Sequence, residues 1–116
     1  MEYILFIATD PDAEPYVEAE DNIAEWVANL DGLGRRLQGD RLRPVEEART
    51  VRVRAGERIV TDGPFTESKE WIAGYDLIEA TDLDEAIAIA AAHPMARFGR
   101  IEVRATWPFD LAEDRP

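Results

Sequence analysis

The sequence predicts an α+β fold in which an antiparallel sheet carries two helices on one face. Three patterns predict it: a continuous run of β-forming residues at 3–7, two alternating runs at 50–54 and 57–61, and helical patterns that separate the strand runs. A chain of 116 residues is the size of one domain. We place that domain at residues 1–107 and a polar C-terminal tail at residues 108–116.

The first third of the chain predicts a buried strand followed by an amphipathic helix. Residues 2–9 are the strand, and Asp10-Pro11-Asp12 ends it. The helix is expected to begin between residues 13 and 21. Its apolar stripe is Ile23, Trp26, Val27 and Leu30, and the pattern continues through Leu33 and Leu37 toward a stop at Gly39. Residues 40–44 then form a short segment of the kind found at a sheet edge.

The middle of the chain predicts a β-hairpin and a tight turn. The valines of residues 50–54 share one face, Ala55-Gly56 turns the chain, and residues 57–61 form the second strand. In the following turn, we expect Pro64 to hold Gly63 extended and Phe65 to anchor in the core. Residues 66–70 are expected to form one helical turn. Residues 71–80 predict a long strand, in which Gly74 indicates a bulge or a close backbone approach.

The last third predicts a second helix and a final strand. Asp82 is the expected N-cap, with Glu85 at the third position, and an alanine-rich segment follows. His93-Pro94 ends the helix, residues 95–99 are expected to be a loop, and residues 100–107 alternate as a strand. The whole order predicts a ferredoxin-like sandwich. Because such a sheet leaves one face bare, we predict that a second copy covers it, giving a homodimer.

Composition excludes several classes of protein. The net charge of −12 argues against direct nucleic-acid binding. No apolar run is long enough for a membrane span, and the N-terminal apolar run lacks a preceding basic region, so we expect a cytoplasmic protein. The absence of cysteine excludes disulfides and Cys-based metal sites. Residues 35–58 hold eight arginines, which form either an anion or partner surface or a solvated face paired with the acidic helices.

Several segments together resemble the YCII-related domain family, in its DGPF-motif subgroup. The resemblance covers nearly the whole chain and is weakest at residues 10–22 and after Trp107. The segments that carry it are Thr61-Asp62-Gly63-Pro64-Phe65-Thr66-Glu67-Ser68-Lys69-Glu70, Gly74-Tyr75-Asp76-Leu77-Ile78, Asp82-Leu83-Asp84-Glu85-Ala86, His93-Pro94 and Gly99-Arg100-Ile101-Glu102-Val103-Arg104.

The resemblance implies a dimeric ferredoxin-like α+β barrel with a cleft at each open end. It also implies an enzyme candidate that uses a His/Asp pair, and an association with extracytoplasmic-function sigma-factor pathways. The chain has no helix-turn-helix pattern of its own, so a transcriptional role would be indirect. Most members of the family have no assigned activity, so the resemblance names no substrate.

Asp62 and His93 are the candidate catalytic pair, because a histidine oriented by a carboxylate is a common device for proton transfer. Each has a structural alternative: His93 can cap the C-terminus of its helix, and Asp62 can cap the backbone amides of the turn.

Lys69 lies beside the turn, where a surface ion pair is the alternative to ligand binding. Tyr75 and Asp76 are neighbours on a strand, so we expect only one of them to face the cleft. The predicted ligand-binding residues are Asp62, Gly63, Pro64, Phe65, Lys69, Tyr75 and His93.

Two functions fit these residues. The first is a small-molecule enzyme that exchanges protons with a bound acid or phenol-like substrate. The second is a non-catalytic binding or regulatory module that uses the same cleft or the arginine-rich hairpin. We predict no cofactor and no transition-metal site, because the chain has one histidine and lacks a glycine-rich phosphate loop. A hard cation on carboxylates stays open.

Overall fold

The computed structural model describes residues 1–63 and 71–109. In these ranges the chain forms two antiparallel sheets and three α-helices. The strands are β1 (Glu2–Ala8), β2 (Arg36–Arg41), β3 (Arg49–Arg54), β4 (Glu57–Asp62), β5 (Ile72–Glu79) and β6 (Arg100–Ala105). The helices are α1 (Ile23–Gly32), α2 (Leu83–Ala92) and α3 (Met95–Phe98). Within these ranges, no helix is long and apolar enough to cross a membrane.

The larger sheet has the strand order β2-β5-β1-β6, and every neighbouring pair is antiparallel. The hairpin β3–β4 lies between β2 and β5 in the chain and forms a separate two-stranded sheet. With the hairpin set aside, the strand order and the two long helices are consistent with a ferredoxin-like fold. The predicted α+β class is therefore confirmed.

The core lies between the larger sheet and the two long helices. Tyr3 and Leu5 of β1 and Ile78 of β5 alternate with more exposed neighbours, and all three are buried. They pack in one cluster with Trp26 and Leu30 of α1 and with Ala86 and Ala90 of α2. Both helices therefore cover the same face of the sheet, as the sequence predicts.

The indole of Trp26 also joins the two helices by a hydrogen bond. Its Nε1–H donates to the carbonyl oxygen of Ile89 at 2.9 Å. That carbonyl lies in the last turn of α2, and the His93 amide that would be its helical partner donates to the carbonyl of Ala90 instead. Trp26 thus satisfies one of the acceptors that every helix leaves open at its C-terminus.

Helix α1 is shorter than its apolar pattern predicts. It ends at Gly32, and Gly34 adopts a positive φ of 67°. The amide of Gly34 donates to Asp31, and that of Arg35 to Leu30, which is the bonding pattern of a Schellman motif. The predicted extension of the helix through Leu37 to Gly39 is wrong, because a left-handed glycine ends the helix and the next residues form strand β2.

Strand β5 confirms the expectation for its glycine. The pairing of β5 with β1 shifts register between Ile7 and Ala8, opposite Gly74. A Cβ atom on Gly74 would also lie 3.0 Å from the backbone oxygen of Asp40 on the neighbouring strand. Gly74 therefore combines a bulge with a close approach of two backbones.

The start of helix α2 follows the sequence prediction. Asp82 is the N-cap, and its Oδ1 accepts the amide of Glu85 at 2.8 Å. The Glu85 carboxylate in turn accepts the amide of Thr81 at 3.1 Å and forms an ion pair with Arg35. Local capping and a contact distant in the chain both fix this end of the helix.

Residues 95–98 form a helix, where a loop over residues 95–99 was predicted. Pro94 has a helical φ of −58° and precedes α3, and Gly99 is its C-cap. Arg97 of this helix contacts Glu14 at 3.0 Å and Glu20 at 3.4 Å, so α3 holds the segment between β1 and α1 in place. A four-residue helix has little propensity of its own, which explains why a sequence pattern did not predict it.

The turn after β4 also differs from its prediction. Gly63 has a φ of 94°, not an extended conformation, and its amide donates to the carbonyl of Ala48 at 2.8 Å. A positive φ at this position favours glycine. Pro64, Phe65 and the helical turn predicted at residues 66–70 lie outside the described residues.

Candidate functional site

A cleft of about 450 Å³ opens between the helix-covered face of the larger sheet and the elements that follow β1 and α2. Most of its surface is apolar. Its apolar lining residues are Ile7, Ile23, Val27, Ala73, Pro94 and Met95, with Gly74 between them. Its polar lining residues are Asp21, Arg36, Asp40, Arg41, Tyr75, Asp76 and His93.

An ion pair joins two strands at the floor of this cleft, and its carboxylate is buried while its guanidinium side chain is partly buried. Arg36 of β2 donates from Nε to Oδ1 of Asp76 on β5 at 2.8 Å. Its Nη2 group also donates to the carbonyl of Gly39 at 2.9 Å. Asp76 is only 5% exposed, so its charge depends on this partner.

Gly39 makes room for the pair. It lies opposite Asp76 in the strand pairing, and a Cβ atom there would sit 2.0 Å from Asp76 Oδ1 and 2.7 Å from Arg36 Nη2. Its backbone φ is not in the left-handed region, so space rather than conformation requires glycine. The carboxylate therefore occupies the volume that a side chain at position 39 would need.

The carboxyl of Asp76 is shifted toward its protonated form. Burial raises its pKa above the ordinary value, while the hydrogen bond and charge of Arg36 lower it without cancelling the effect. Nearby Asp40 and Asp31 raise the pKa a little further. A carboxyl with a raised pKa in a cleft is a common feature of proton-transfer sites.

His93 lies at the other side of the cleft, where α2 ends. It is 5% exposed, and its ring packs edge-on against Trp26 at a centroid distance of 4.6 Å. Its Nδ1 accepts the backbone amide of Met95 at 2.9 Å. The ring therefore caps a helix, but it caps the first turn of α3 rather than the carbonyls of α2.

Burial lowers the pKa of His93 from 6.5 to about 4, and the Asp21 carboxylate opposes this shift only in part. The imidazole is consequently neutral at pH 7. This pKa lies below the near-neutral value of a histidine that exchanges protons at pH 7, because the ring is desolvated and no carboxylate is hydrogen bonded to it in the described part of the chain.

Asp62 does not line the cleft. It ends strand β4 in the separate hairpin, its side chain is 90% exposed, and Arg49 contacts it at 3.1 Å. It is not among the residues that line the cleft with His93. Within one chain, the structure thus brings His93 together with Asp76 and not with Asp62, and a catalytic role for Asp62 stays a prediction.

The other predicted ligand-binding residues divide into three groups. Tyr75 lines the cleft, and its hydroxyl accepts a hydrogen bond from Gln38 Nε2 at 2.8 Å. Asp76 lines the cleft as well, and the alternation of β5 places the two side chains on opposite faces of the strand. Gly63 is at the base of the hairpin. Pro64, Phe65 and Lys69 lie outside the described residues.

Sequence reasoning missed Arg36, and it named Tyr75 rather than Asp76 among the ligand-binding residues. A signal for Asp76 was present. It is an acidic residue on the buried face of a strand, because it lies two residues from Gly74 and two from Ile78. Such a residue needs a buried partner. No equivalent signal selects Arg36 from the other arginines of residues 35–58.

These features define a small α+β domain with a ligand-sized cleft, a buried ion pair and a neutral histidine. The model of the YCII-related domain family matches residues 1–110, so the chain belongs to that family. The chain is also 52% identical over 50 residues to an uncharacterized protein of Rhizobium meliloti (strain 1021). That match covers 43% of this chain and 40% of the relative, so the chain spans less than half of the relative's length.

We predict that Gly39→Ala destabilises the protein by about 2–4 kcal/mol, because the added methyl displaces Asp76 from Arg36 and leaves both charges poorly paired. Urea denaturation measures the free energy of unfolding. Gly32→Ala is the matched control. No atom lies within 4 Å of its added Cβ, so stability stays the same or rises by up to about 1 kcal/mol. Equal stability of the two variants would contradict the packing described.

We predict that His93 makes the protein less stable as the pH falls from 6.5 toward 4. In this range the unfolded chain binds a proton on His93 and the folded chain does not, since the folded pKa is about 4. Full stability is present above pH 6.5. The loss attributable to this residue is at most roughly 3 kcal/mol at pH 4.

The measurement compares urea denaturation of the wild type and His93→Asn at pH 7 and at pH 4.5. The asparagine keeps an acceptor for the Met95 amide but does not titrate. The stability difference between the two proteins should shrink or reverse at pH 4.5. A difference that is the same at both pH values would show that His93 is not buried in its neutral form.

Proposed function

We propose that this protein binds a small molecule in the cleft between Asp76 and His93, and that it is a candidate enzyme of proton transfer. The observation that carries the proposal is the placement of a buried ion pair and a buried neutral histidine on one largely apolar cleft. Ligand sites in proteins have this character: an apolar lining, a few fixed polar groups, and a volume of roughly 300–1,000 Å³.

The buried ion pair supports a functional reading of the cleft. Replacing such a pair by apolar residues is often neutral or stabilising, so stability alone does not explain why charges are kept there. Arg36 uses Nε and Nη2 within the protein, and Arg36 and Asp76 both line the cleft. The pair therefore offers a ligand fixed polar groups whose geometry is set before binding.

Catalysis is the further step in this proposal. A carboxyl with a raised pKa and an imidazole held neutral are two titratable groups whose environments give them different roles. Asp76 would exchange the proton, and His93 would act on the substrate in its neutral form. A binding module without turnover would use the same cleft, and turnover of an identified ligand separates the two.

We also propose that two copies associate. The valines of the hairpin lie on one face and are strongly exposed: Val51 and Val53 are 61% exposed and Val60 is 52% exposed. Among the described residues, the two long helices pack on one face of the larger sheet, and the proposed partner would pack on the other. A homodimer would bury both surfaces.

A thermal-shift screen against a metabolite library tests the ligand proposal. A compound at 100 times its dissociation constant should stabilise the wild type by about 2.7 kcal/mol. Ile23→Trp fills the cleft and should abolish the shift. Ala24→Trp, on the next residue of α1 and outside the cleft lining, should keep it. Stabilising compounds that act equally on both variants would place binding elsewhere, and a screen without any such compound would contradict the proposal.

Sedimentation equilibrium tests the association. We expect a particle of twice the 13.1 kDa chain mass at micromolar concentration. Val53→Ser should weaken the dimer, whereas Arg54→Ser, on the opposite face of the same strand, should not. A single species with the mass of one chain at every concentration would contradict the proposal.

A further inference from the structure

The two ring nitrogens of His93 have different surroundings. His93 is the only histidine of the chain, and its Nδ1 accepts the backbone amide of Met95 at 2.9 Å. A backbone N–H is always a donor, so the nitrogen that faces it carries no proton. The neutral ring therefore holds its one proton on Nε2.

This arrangement limits what His93 can do. Nε2 already carries a proton and cannot act as a base. Nδ1 cannot take up a proton without breaking the bond that begins α3. The ring, packed against Trp26 at 4.6 Å, is thus fixed as a hydrogen-bond donor.

The donor belongs to a residue that lines the cleft. Within residues 1–63 and 71–109, no acceptor bonds to Nε2, and no buried side-chain nitrogen or oxygen lacks a partner. In the part of the chain that the structure describes, this agrees with an Nε2 that is open to the cleft. A ligand there can accept a bond for which the described residues provide no acceptor.

The charges around the cleft indicate an uncharged ligand. Asp21 precedes α1, Asp40 and Asp76 lie on two strands, and Arg36 and Arg41 lie on β2. Three carboxylates against two guanidinium groups leave one net negative charge when His93 is neutral. An anion would enter this cleft against the field of the site and of a chain with net charge −12.

We propose that the cleft recognises an uncharged carbonyl compound, whose oxygen accepts a hydrogen bond from Nε2–H of His93 while its apolar part packs against Ile7, Val27 and Met95. This inference rests on the proposed ligand-binding function. A carbonyl oxygen is an acceptor only, so it satisfies the fixed donor and brings no donor of its own into an apolar lining. The same bond polarises the carbonyl, which prepares it for proton transfer at the neighbouring carbon.

The experiment is ¹⁵N NMR of the wild type with labelled histidine, followed by titration with three probes of similar shape. The probes are acetophenone, 2-phenylpropene, in which CH₂ replaces the carbonyl oxygen, and benzoate, an anion. In the free protein at pH 7, we expect a protonated Nε2 and an unprotonated Nδ1. Acetophenone should shift the Nε2 resonance and the amides of Gly74 and Asp76, and benzoate should bind more weakly.

Two variants separate the donor from its structural role. His93→Asn keeps an acceptor for the Met95 amide but has no donor near Nε2, so acetophenone should bind roughly 10-fold more weakly and 2-phenylpropene equally well. His93→Gln keeps a donor near Nε2 and should recover much of the acetophenone affinity. Equal losses for both neutral probes in His93→Asn would show a structural role only and overturn the inference.

The other possible results of the NMR titration also test the inference. A proton on Nδ1, or an imidazolium at pH 7, overturns the inference whatever binds. Tighter binding of benzoate than of acetophenone overturns the assignment of an uncharged ligand. If 2-phenylpropene perturbs the cleft as strongly as acetophenone, the inference of a carbonyl ligand fails, whereas the proposal that the cleft binds a small molecule is supported. If no probe perturbs the cleft although the tautomer is as described, the inference and the ligand cleft fail together.

Discussion

The ion pair between Arg36 and Asp76 is the interaction on which the geometry of the cleft depends. A carboxylate buried against a largely apolar lining is tolerated only when its partner is close and well oriented. Their separation of 2.8 Å fixes β2 against β5 at the edge of the sheet. That edge forms the floor of the cleft, so the pair sets the position of the polar groups on these two strands.

Several local features of the chain exist to accommodate this pair. The Schellman motif after α1 turns the chain directly into β2. The strand then shifts register between Arg36 and Gln38, with Leu37 as the extra residue. Residues 36 and 39 are an odd number apart and would otherwise point to opposite faces. The bulge allows the Arg36 side chain and the space above Gly39 to share the face of Asp76.

The sequence predicts the fold better than the site, and the reason is physical. Alternation of valines, the Asp82 cap and the stripe from Ile23 to Leu30 are local patterns, and each element they predict is present. The end of α1 was missed because the leucines at 33 and 37 extend the apolar pattern, whereas a left-handed Gly34 decides the conformation. The site depends on a pair 40 positions apart, and no local pattern selects Arg36 among its arginine neighbours. His93 was found, but its tautomer follows from the hydrogen bond with the Met95 amide and its pKa from burial, and only the structure shows either.

A double-mutant cycle between Arg36 and Asp76 tests this account most directly. The free energies of unfolding of the wild type, Arg36→Met, Asp76→Asn and the double variant give the coupling energy of the pair. Arg36→Met leaves the buried Asp76 carboxylate without its partner and should cost about 3–5 kcal/mol, Asp76→Asn leaves the partly exposed Arg36 without its partner and should cost less, and the double variant should cost much less than the sum of the two. We expect a coupling energy of about 2 kcal/mol or more. Additive effects, within about 0.5 kcal/mol, would show that the pair does not organise the cleft.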